Sequence, residues 1–304
     1  MVTNHLSLAG ICLIVVQMER IGFIGLGAMG FGICRNLIKH SYPTTVYDIS
    51  PDAMERFRDR ASVADSAEEV LRESDCVFLS LPSSKEVEEL VERFLERGVS
   101  GKTIIDLSTS YPLSTKKLNQ KVAAQGGVFV DAALAGSPED CRKGRIMVLF
   151  GGEKADYSRL EPIMKRFSGK YKYVGESGSG HLAKLVMNFI GVSYIASYAQ
   201  AFPLGEKMGL DGEVLEELIA ESGLGCGTFK FYAPKFLSQS YDLDFALELA
   251  HKDMTYVRKL FEEFQVPAFS LDGTLSLMRT GMKEGKGKKD LSELCGIVHD
   301  FFDA

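Results

Sequence analysis

A lysine and an asparagine, Lys184 and Asn188, lie in an otherwise apolar stretch of the chain over residues 182–192. A buried charge there is costly unless it has a partner or a chemical task. Residues four apart share one face of a helix, so the amine and the amide would act at one place. A partly buried lysine with a lowered pKa accepts a hydroxyl proton near neutral pH. The pair therefore suits oxidation of an alcohol; the alternative is a lysine at a helix start that extends its amine to solvent.

A glycine-rich turn follows an apolar segment at residues 20–25 and precedes a helical pattern at residues 28–40. Its sequence is Gly25-Leu26-Gly27-Ala28-Met29-Gly30. In this context Gly25 permits a tight turn, Gly27 lets the backbone approach a pyrophosphate at the helix N-terminus, and Gly30 lets helix and strand pack closely. The pattern predicts a dinucleotide site, the alternative being a glycine-rich turn without a ligand.

Asp48 ends the second predicted strand, roughly 20 residues after the glycines, where a carboxylate accepts hydrogen bonds from the adenosine ribose and repels a 2′-phosphate. Ile49, Ser50 and Pro51 follow it, with no adjacent arginine to hold such a phosphate. These residues predict NAD rather than NADP as the cofactor. The alternative is that Asp48 merely caps a helix that starts at Pro51.

The order of the predicted elements indicates how these groups are positioned. Strands are predicted at residues 20–25, 44–48, 76–81, 103–107, 128–131, 146–151 and 171–174. Helices are predicted between them at residues 28–40, 66–73, 85–97, 112–124 and 156–167. Such alternation is typical of a mainly parallel sheet that is covered on both faces.

The pattern changes after Gly175, where a turn-rich break precedes a long apolar helical stretch over residues 181–208. Further helices are predicted at residues 211–221, 243–264, 268–282 and 291–302, and no strand among them. The fold class is therefore α/β followed by all-α. We expect an extension at residues 1–17, a doubly wound Rossmann domain at 18–180 and an all-helical domain at 181–304.

Composition excludes several classes of protein. The chain has 304 residues, 45% of them hydrophobic, and a net charge of -6, which disfavours nucleic acid and anionic membranes as partners. The apolar stretch at residues 6–16 is too short to span a membrane. Six scattered cysteines without a CxxC pair argue against disulfides and a zinc site and suit a reducing compartment. We expect a cytoplasmic protein that binds small molecules and no metal.

Five ordered motifs resemble those of the β-hydroxyacid dehydrogenases, the family of 3-hydroxyisobutyrate, tartronate semialdehyde and 6-phosphogluconate enzymes. The first is residues 21–30 with Asn36-Leu37 following, and the resemblance continues to the end of the chain. The others are Leu81-Pro82, Asp106-Leu107-Ser108-Thr109, Gly178-Ser179-Gly180-His181-Leu182-Ala183-Lys184 with Asn188, and Lys252-Asp253.

The resemblance implies roles for these residues. Leu81 and Pro82 would contact the cofactor, Thr109 would lie near the nicotinamide, and Lys252 would close over the cofactor. Lys184 would be the acid/base of a reversible oxidation of a short 3-hydroxy acid, in a cleft between the domains. We also expect a homo-oligomer, a dimer or a tetramer, and we expect His181 to face solvent.

The chain departs from the family pattern at its substrate motif. Ala135 stands where the family has a serine that helps to hold the substrate carboxylate, and Ser137 stands where it has a glycine, with Gly136 between them. We hypothesise that Ser137 takes over part of that role. Lys230 and Phe231, with Tyr232, fall where such enzymes place a pocket-lining segment, although a core role for the aromatic residues is an equal alternative.

Two rival functions remain open. An NADPH-dependent semialdehyde or imine reductase is disfavoured by Asp48 and, for imine reductases, by Lys184. A non-catalytic NAD-binding module remains an alternative because the Ala135-Gly136-Ser137 loop departs from the family pattern. It is disfavoured because a module that only binds NAD needs neither Lys184 nor Asn188.

Overall fold

The computed structural model describes residues 18–303, so the extension predicted at residues 1–17 lies outside the described residues. Its first part is built on an eight-stranded sheet. The strands are β1 (Ile21–Ile24), β2 (Thr44–Tyr47), β3 (Ser62–Val63), β4 (Cys76–Leu79), β5 (Thr103–Asp106), β6 (Val128–Ala135), β7 (Ile146–Gly151) and β8 (Ser168–Gly175).

The sheet has the order β3-β2-β1-β4-β5-β6-β7-β8, and every pair is parallel except β6 with β7. The order of the first six strands is that of a dinucleotide-binding Rossmann sheet, whose ligand lies outside the carboxyl ends of the strands where the order reverses. Here that point falls between β1 and β4. The predicted mainly parallel, doubly wound sheet is confirmed.

Helices cover both faces of the sheet, since successive strand residues alternate between two apolar clusters. Phe23 and Phe78 belong to one cluster, and Val77 and Leu79 belong to the other. The helices are α1 (Ala28–Lys39), α2 (Pro51–Glu55), α3 (Ala67–Glu73), α4 (Ser84–Arg97), α5 (Pro112–Ala124), α6 (Pro138–Arg142) and α7 (Lys154–Met164).

Several elements of this part differ from the sequence-based prediction. Strand β6 runs to Ala135 instead of ending at Asp131, and β3 and α6 were not predicted at all. The extra half of β6 is rich in alanine, which has a low strand propensity. Its extended form depends on antiparallel pairing with β7, in which Ala135 lies opposite Met147.

The second part is helical from residue 179 to residue 303, apart from a bridge between Ala246 and Asp290. Its helices are α8 (Ser179–Lys207), α9 (Gly212–Glu221), α10 (Gly227–Ser238), α11 (Leu247–Glu263), α12 (Phe269–Lys283) and α13 (Glu293–Asp303). The predicted all-α region is confirmed, although the prediction lacked α10. Asp211 caps α9 by accepting from the amides of Glu213 and Val214.

Helix α8 joins the two parts. It packs against β6, β7, β8 and α5 in the first part, and against α10, α11, α12 and α13 in the second. By length and composition it is apolar enough to cross a membrane, and 28% of that segment is buried. The central helix of a soluble protein passes the same test, so this property is weak evidence for a membrane span.

Candidate active site

The glycine-rich turn joins β1 to α1 with the geometry that a dinucleotide requires. Gly25 has φ +93°, and a Cβ at Gly30 would collide with the carbonyl oxygen of Gly25. At Gly27, in contrast, nothing lies within 4 Å of the place of a Cβ. Gly27 is also the N-cap of α1 and makes no side-chain capping bond. The first amides of the helix are therefore available to a pyrophosphate, which this open approach fits.

Asp48 lies directly after β2 and is bonded to this turn. Its Oδ2 accepts from the Leu26 amide at 2.6 Å, and its Oδ1 accepts from the Ser50 amide at 2.8 Å. Ser50, and not Asp48, is the capping residue of α2. The carboxylate is thus fixed beside the glycines, at the end of the turn where the adenosine ribose of a bound dinucleotide lies.

Helix α2 also brings an arginine to the turn. Arg56 donates to the carbonyl oxygen of Leu26 at 3.0 Å, and its guanidinium lies 3.9 Å from the centre of the Phe31 ring. The sequence placed no arginine next to Asp48, since eight positions separate the two residues. The fold brings a positive charge to the loop that the carboxylate also contacts.

The carboxyl ends of β4 and β5 are connected to each other and to the helical part. The Ser108 hydroxyl accepts from the Leu81 amide at 2.9 Å. From α11, the Lys252 ammonium donates to the carbonyl oxygens of Pro82, at 2.9 Å, and Thr109, at 3.0 Å. Four residues that the family resemblance assigned to the cofactor thus lie together at the carboxyl ends of the strands.

Lys184 and Asn188 lie one turn apart on α8, and both are partly buried. Asn188 Nδ2 donates to Oδ2 of the buried Asp253 at 2.7 Å, and Oδ1 of Asp253 is 3.2 Å from the Lys252 ammonium. Burial lowers the pKa of Lys184, Asp253 acts against this, and the positive charge of Lys252 adds to it. The environment therefore favours a lysine that is neutral at lower pH than an exposed one.

The start of α8 is held by buried polar groups. His181 is 0% exposed, so the prediction that it faces solvent was wrong: α5 and β6 cover this turn. Its backbone amide donates to Asp131 Oδ2 at 2.9 Å, and the Gly178 amide donates to Asp131 Oδ1 at 2.7 Å. Burial raises the pKa of Asp131, while His181 and the two amides act against that rise.

A groove of about 320 Å³ lies between α8 and α10. Asn188 and Phe231 both line it, whereas Lys230 is exposed and does not. Its other lining residues are mostly apolar: Met187, Gly191, Val192, Ile195, Gly227, Thr228, Tyr232 and Phe245. Tyr232 is otherwise buried in the helical core. The groove thus begins one turn beyond Lys184 and continues along the same face of α8.

The altered loop after β6 belongs to a different set of contacts. Ser137 is the N-cap of α6, and its hydroxyl donates to Asp140 Oδ2 at 2.7 Å and accepts from the Asp140 amide at 3.2 Å. Ala135 pairs with β7, and Gly136 has φ +139°. Because the Ser137 hydroxyl proton is already donated to Asp140, the structure favours a capping role over the substrate contact that the sequence suggested.

Comparison with known proteins agrees with this arrangement. Residues 20–175 match the family described as the NAD binding domain of 6-phosphogluconate dehydrogenase, and residues 178–298 match the NAD-binding domain of NADP-dependent 3-hydroxyisobutyrate dehydrogenase. The chain belongs to the β-hydroxyacid dehydrogenase family. It is accordingly an oxidoreductase whose cofactor is a nicotinamide dinucleotide.

Members of the β-hydroxyacid dehydrogenase family resemble the chain over nearly its whole length. Mitochondrial 3-hydroxyisobutyrate dehydrogenase of Rattus norvegicus is 29% identical over 95% of this chain and 90% of its own length. The 2-(hydroxymethyl)glutarate dehydrogenase of Eubacterium barkeri is 30% identical over 91% of this chain and 94% of its own.

Solved structures share the fold at lower identity. The 3-hydroxyisobutyrate dehydrogenase of Mycobacterium tuberculosis, solved with L-serine, has a TM-score of 0.85 at 22% identity, over 93% of this chain and 99% of its own. An imine reductase from a Pseudomonas species has a TM-score of 0.58 at 21% identity, over 93% of this chain and its full length.

Three residues of the site were missed by reasoning from the sequence, namely Asp253 as a partner of Asn188, Arg56 beside the glycine turn, and His181 as a buried group. The contact of Asn188 with Asp253 spans 65 positions, and that of Arg56 with Leu26 spans 30. Contacts between residues so far apart in the sequence cannot be predicted from local spacing. The adjacent Lys252-Asp253 was a signal only through the family motif.

Proposed function

We propose that the chain catalyses the reversible oxidation of a short 3-hydroxy acid, with hydride transfer to NAD and Lys184 as the general acid/base. The observation that carries this proposal is the cluster of Lys184, Asn188 and Asp253 beside Lys252. The ammonium of Lys252 is bonded to the strand ends where a nicotinamide would lie. An amine with a lowered pKa at that place suits removal of a hydroxyl proton.

Each side chain of this cluster has a separate task. The neutral amine of Lys184 accepts the proton of the substrate hydroxyl and returns it in the reverse direction. Asn188 donates to Asp253, which leaves its carbonyl oxygen as an acceptor towards the substrate. Lys252 joins α11 to the loops after β4 and β5. The nicotinamide, when bound, supplies the hydride acceptor.

The groove between α8 and α10 points to the kind of substrate. It begins at Asn188, its lining is mostly apolar, and it extends along α8 to Ile195, a rise of about 10 Å at 1.5 Å per residue. Ala135 removes a hydroxyl from the family's substrate motif. We infer that the preferred acid carries an apolar substituent larger than methyl beside its carboxylate.

A panel of substrates tests both the proposed reaction and the proposed size of the substituent. We would assay 3-hydroxypropionate derivatives with 2-methyl, 2-ethyl, 2-isobutyl and 2-benzyl groups by the absorbance of the reduced cofactor. Each buried methylene contributes about 0.8 kcal/mol, so kcat/KM should rise about fourfold for each one. Gly191→Leu is the matched variant, because nothing lies within 4 Å of a Cβ at Gly191 and the new side chain would fill the groove. That variant should lose the preference for large groups and keep activity on the 2-methyl acid.

The outcomes separate the competing functions. Cofactor reduction with the 2-methyl acid alone supports the dehydrogenase and contradicts the larger substituent. Turnover of a cyclic imine with NADPH, and none of a hydroxy acid, supports the imine reductase. Tight NAD binding without turnover of any compound supports the non-catalytic module.

An NADP-dependent enzyme is a second candidate, and Arg56 is the observation that favours it. Its guanidinium lies at the glycine turn, with one donor on the carbonyl oxygen of Leu26 and others free to meet a 2′-phosphate. The carboxylate of Asp48 on the same turn opposes such a phosphate. Titration of both cofactors decides: NAD should bind more tightly, and Arg56→Ala should weaken NADP more than NAD if the arginine contributes.

We further propose that the chain self-associates through α8. Leu182, Val186, Ile190 and Tyr194 are 43–49% exposed and recur every four residues, on a side of the helix away from Lys184. Such a contiguous apolar stripe is typical of an interaction surface. Val186→Glu should reduce the mass measured by light scattering, whereas Val214→Glu, at an exposed valine outside the stripe, should not.

A further inference from the structure

The first turn of α8 contains a buried network that the proposed mechanism does not use. The His181 ring is 0% exposed, as is the carboxylate of Asp106 at the end of β5. Nδ1 of His181 is 2.8 Å from Thr115 Oγ1, and Nε2 is 3.6 Å from Asp106 Oδ2. The ring thus bridges α5 and the end of β5, while its own backbone is held by Asp131.

The charges around the ring favour the tautomer that has its proton on Nε2. An unprotonated Nε2 would direct its lone pair at the Asp106 carboxylate, which is repulsive in a site that excludes water. A proton on Nε2 instead faces the negative oxygen. Nδ1 then accepts the proton of the Thr115 hydroxyl at 2.8 Å, and in that state the hydroxyl does not donate to the Tyr111 carbonyl oxygen 3.2 Å away. The ring is therefore attracted to Asp106.

The His181 ring connects two segments that carry residues of the proposed mechanism, Thr109 and Lys184. Asp106 accepts from the Ser108 amide at 2.9 Å and from the Ser110 hydroxyl at 2.7 Å, so it fixes the loop that carries Thr109. On the other side, His181 lies one helical turn before Lys184. Any rotation of the first turn of α8 would move the amine relative to Thr109, and displacement by 1 Å costs on the order of 100-fold in rate.

We propose that His181 is a positioning residue, whose ring connects the loop after β5 to the first turn of α8 and so fixes Lys184 relative to Thr109. The inference rests on the proposed function for its kinetic consequence. Its structural part, the coupling of the two segments, can be measured without a substrate.

Hydrogen–deuterium exchange of the full-length protein tests the coupling first. His181→Leu removes both ring contacts, so amide exchange should accelerate about tenfold in residues 107–111 and in residues 181–185 together. His181→Gln places a donor near the position of Nε2 and should keep both segments protected. His181→Asn reaches only the position of Nδ1 and should behave like the leucine variant, and it replaces that variant if the latter does not fold.

A control separates the network from the general effect of replacing a histidine. His299 on α13 has its Nε2 3.4 Å from Glu206 in the helical part, remote from the strand ends. His299→Gln should leave exchange in both segments unchanged. Faster exchange in α8 alone after His181→Leu, with residues 107–111 still protected, would overturn the proposal.

The kinetic test uses the 3-hydroxy acid of the panel that has the highest kcat/KM. His181→Asn should lower kcat about 30-fold or more, while KM and the NAD dissociation constant change less than threefold and His181→Gln stays within threefold of the parent. A lowered melting temperature with unchanged kcat would make His181 purely structural. If no acid is oxidised at all, the proposed function fails, and the exchange experiment still decides the coupling.

Discussion

The cofactor end and the substrate end of the site are built in opposite ways. The glycine turn and Asp48 come from one β-α-β unit, in which the carboxylate contacts an amide 22 positions away. The cluster around Lys184 draws on α8, α11 and two loops of the sheet, with contacts that span 65 to 170 positions. One end is thus encoded by local spacing, and the other exists only when distant segments pack together.

The same difference bears on where the chain departs from the family pattern. In the β-α-β unit Gly25 and Gly30 are required by local sterics, as the φ of +93° at Gly25 and the clash of a Cβ at Gly30 with the Gly25 carbonyl oxygen show. Ala135 and Ser137, in the motif that the sequence assigned to the substrate, depart from the family pattern, yet the fold accommodates them, Ser137 as a helix cap. A site assembled from separate elements can exchange one contact without loss of the others.

The largest expected effect is at the substrate end. Lys184→Ala should lower kcat by about 10²–10⁴, because it removes the proposed acceptor of the hydroxyl proton. The NAD dissociation constant should change little, since the amine acts on the substrate. Fluorescence titration and turnover on the best acid measure the two quantities. Near-normal turnover would remove Lys184 from the mechanism.

At the cofactor end, Asp48→Ala should raise the NAD dissociation constant about tenfold or more and relax the preference over NADP. A hydrogen bond to a charged group is worth about 1.5–3 kcal/mol. Asp48→Asn is the control: it keeps the shape and an acceptor for the Leu26 amide but removes the charge. If both variants bind NAD as the parent does, Asp48 serves only the turn.

The pH dependence links the two ends through charges near Lys184. The rate of oxidation should rise with pH through the lowered pKa of Lys184, since only the neutral amine accepts a proton. Asp253→Asn removes a charge that raises this pKa, so the acidic limb of kcat should move to lower pH. Lys252→Met removes a charge that lowers the pKa of Lys184. The acidic limb of kcat, measured at saturating NAD, should therefore move to higher pH. Shifts in the same direction would contradict the assignment of the limb to Lys184.

The smallest effect is expected at Ser137. Ser137→Ala should lower the free energy of unfolding by about 1 kcal/mol through loss of the cap of α6, as chemical denaturation would show. KM for the acid should stay within twofold. A several-fold rise in KM with unchanged stability would instead restore the substrate role suggested by the sequence.

Much of this architecture could be predicted from the sequence, because its signals are local. Alternating apolar segments predicted seven of the eight strands, and β3, which is only Ser62 and Val63, was too short to give a pattern. Helix α10 was missed, although its residues Lys230 and Phe231 had been assigned to the pocket. Of these two, only Phe231 lines the groove with Asn188, since the side that a residue presents depends on the neighbouring helix.

The sequence by itself determined the dinucleotide turn, the change from α/β to helical structure and the pairing of Lys184 with Asn188 on one helix face. Each follows from backbone sterics or helical periodicity over a few residues. Only the tertiary structure decided that Asp253 holds Asn188, that Arg56 reaches the turn of Asp48 and that His181 is buried against Asp106. Those outcomes depend on which distant surfaces pack together, because burial and electrostatic environment are properties of the assembled core and not of any segment.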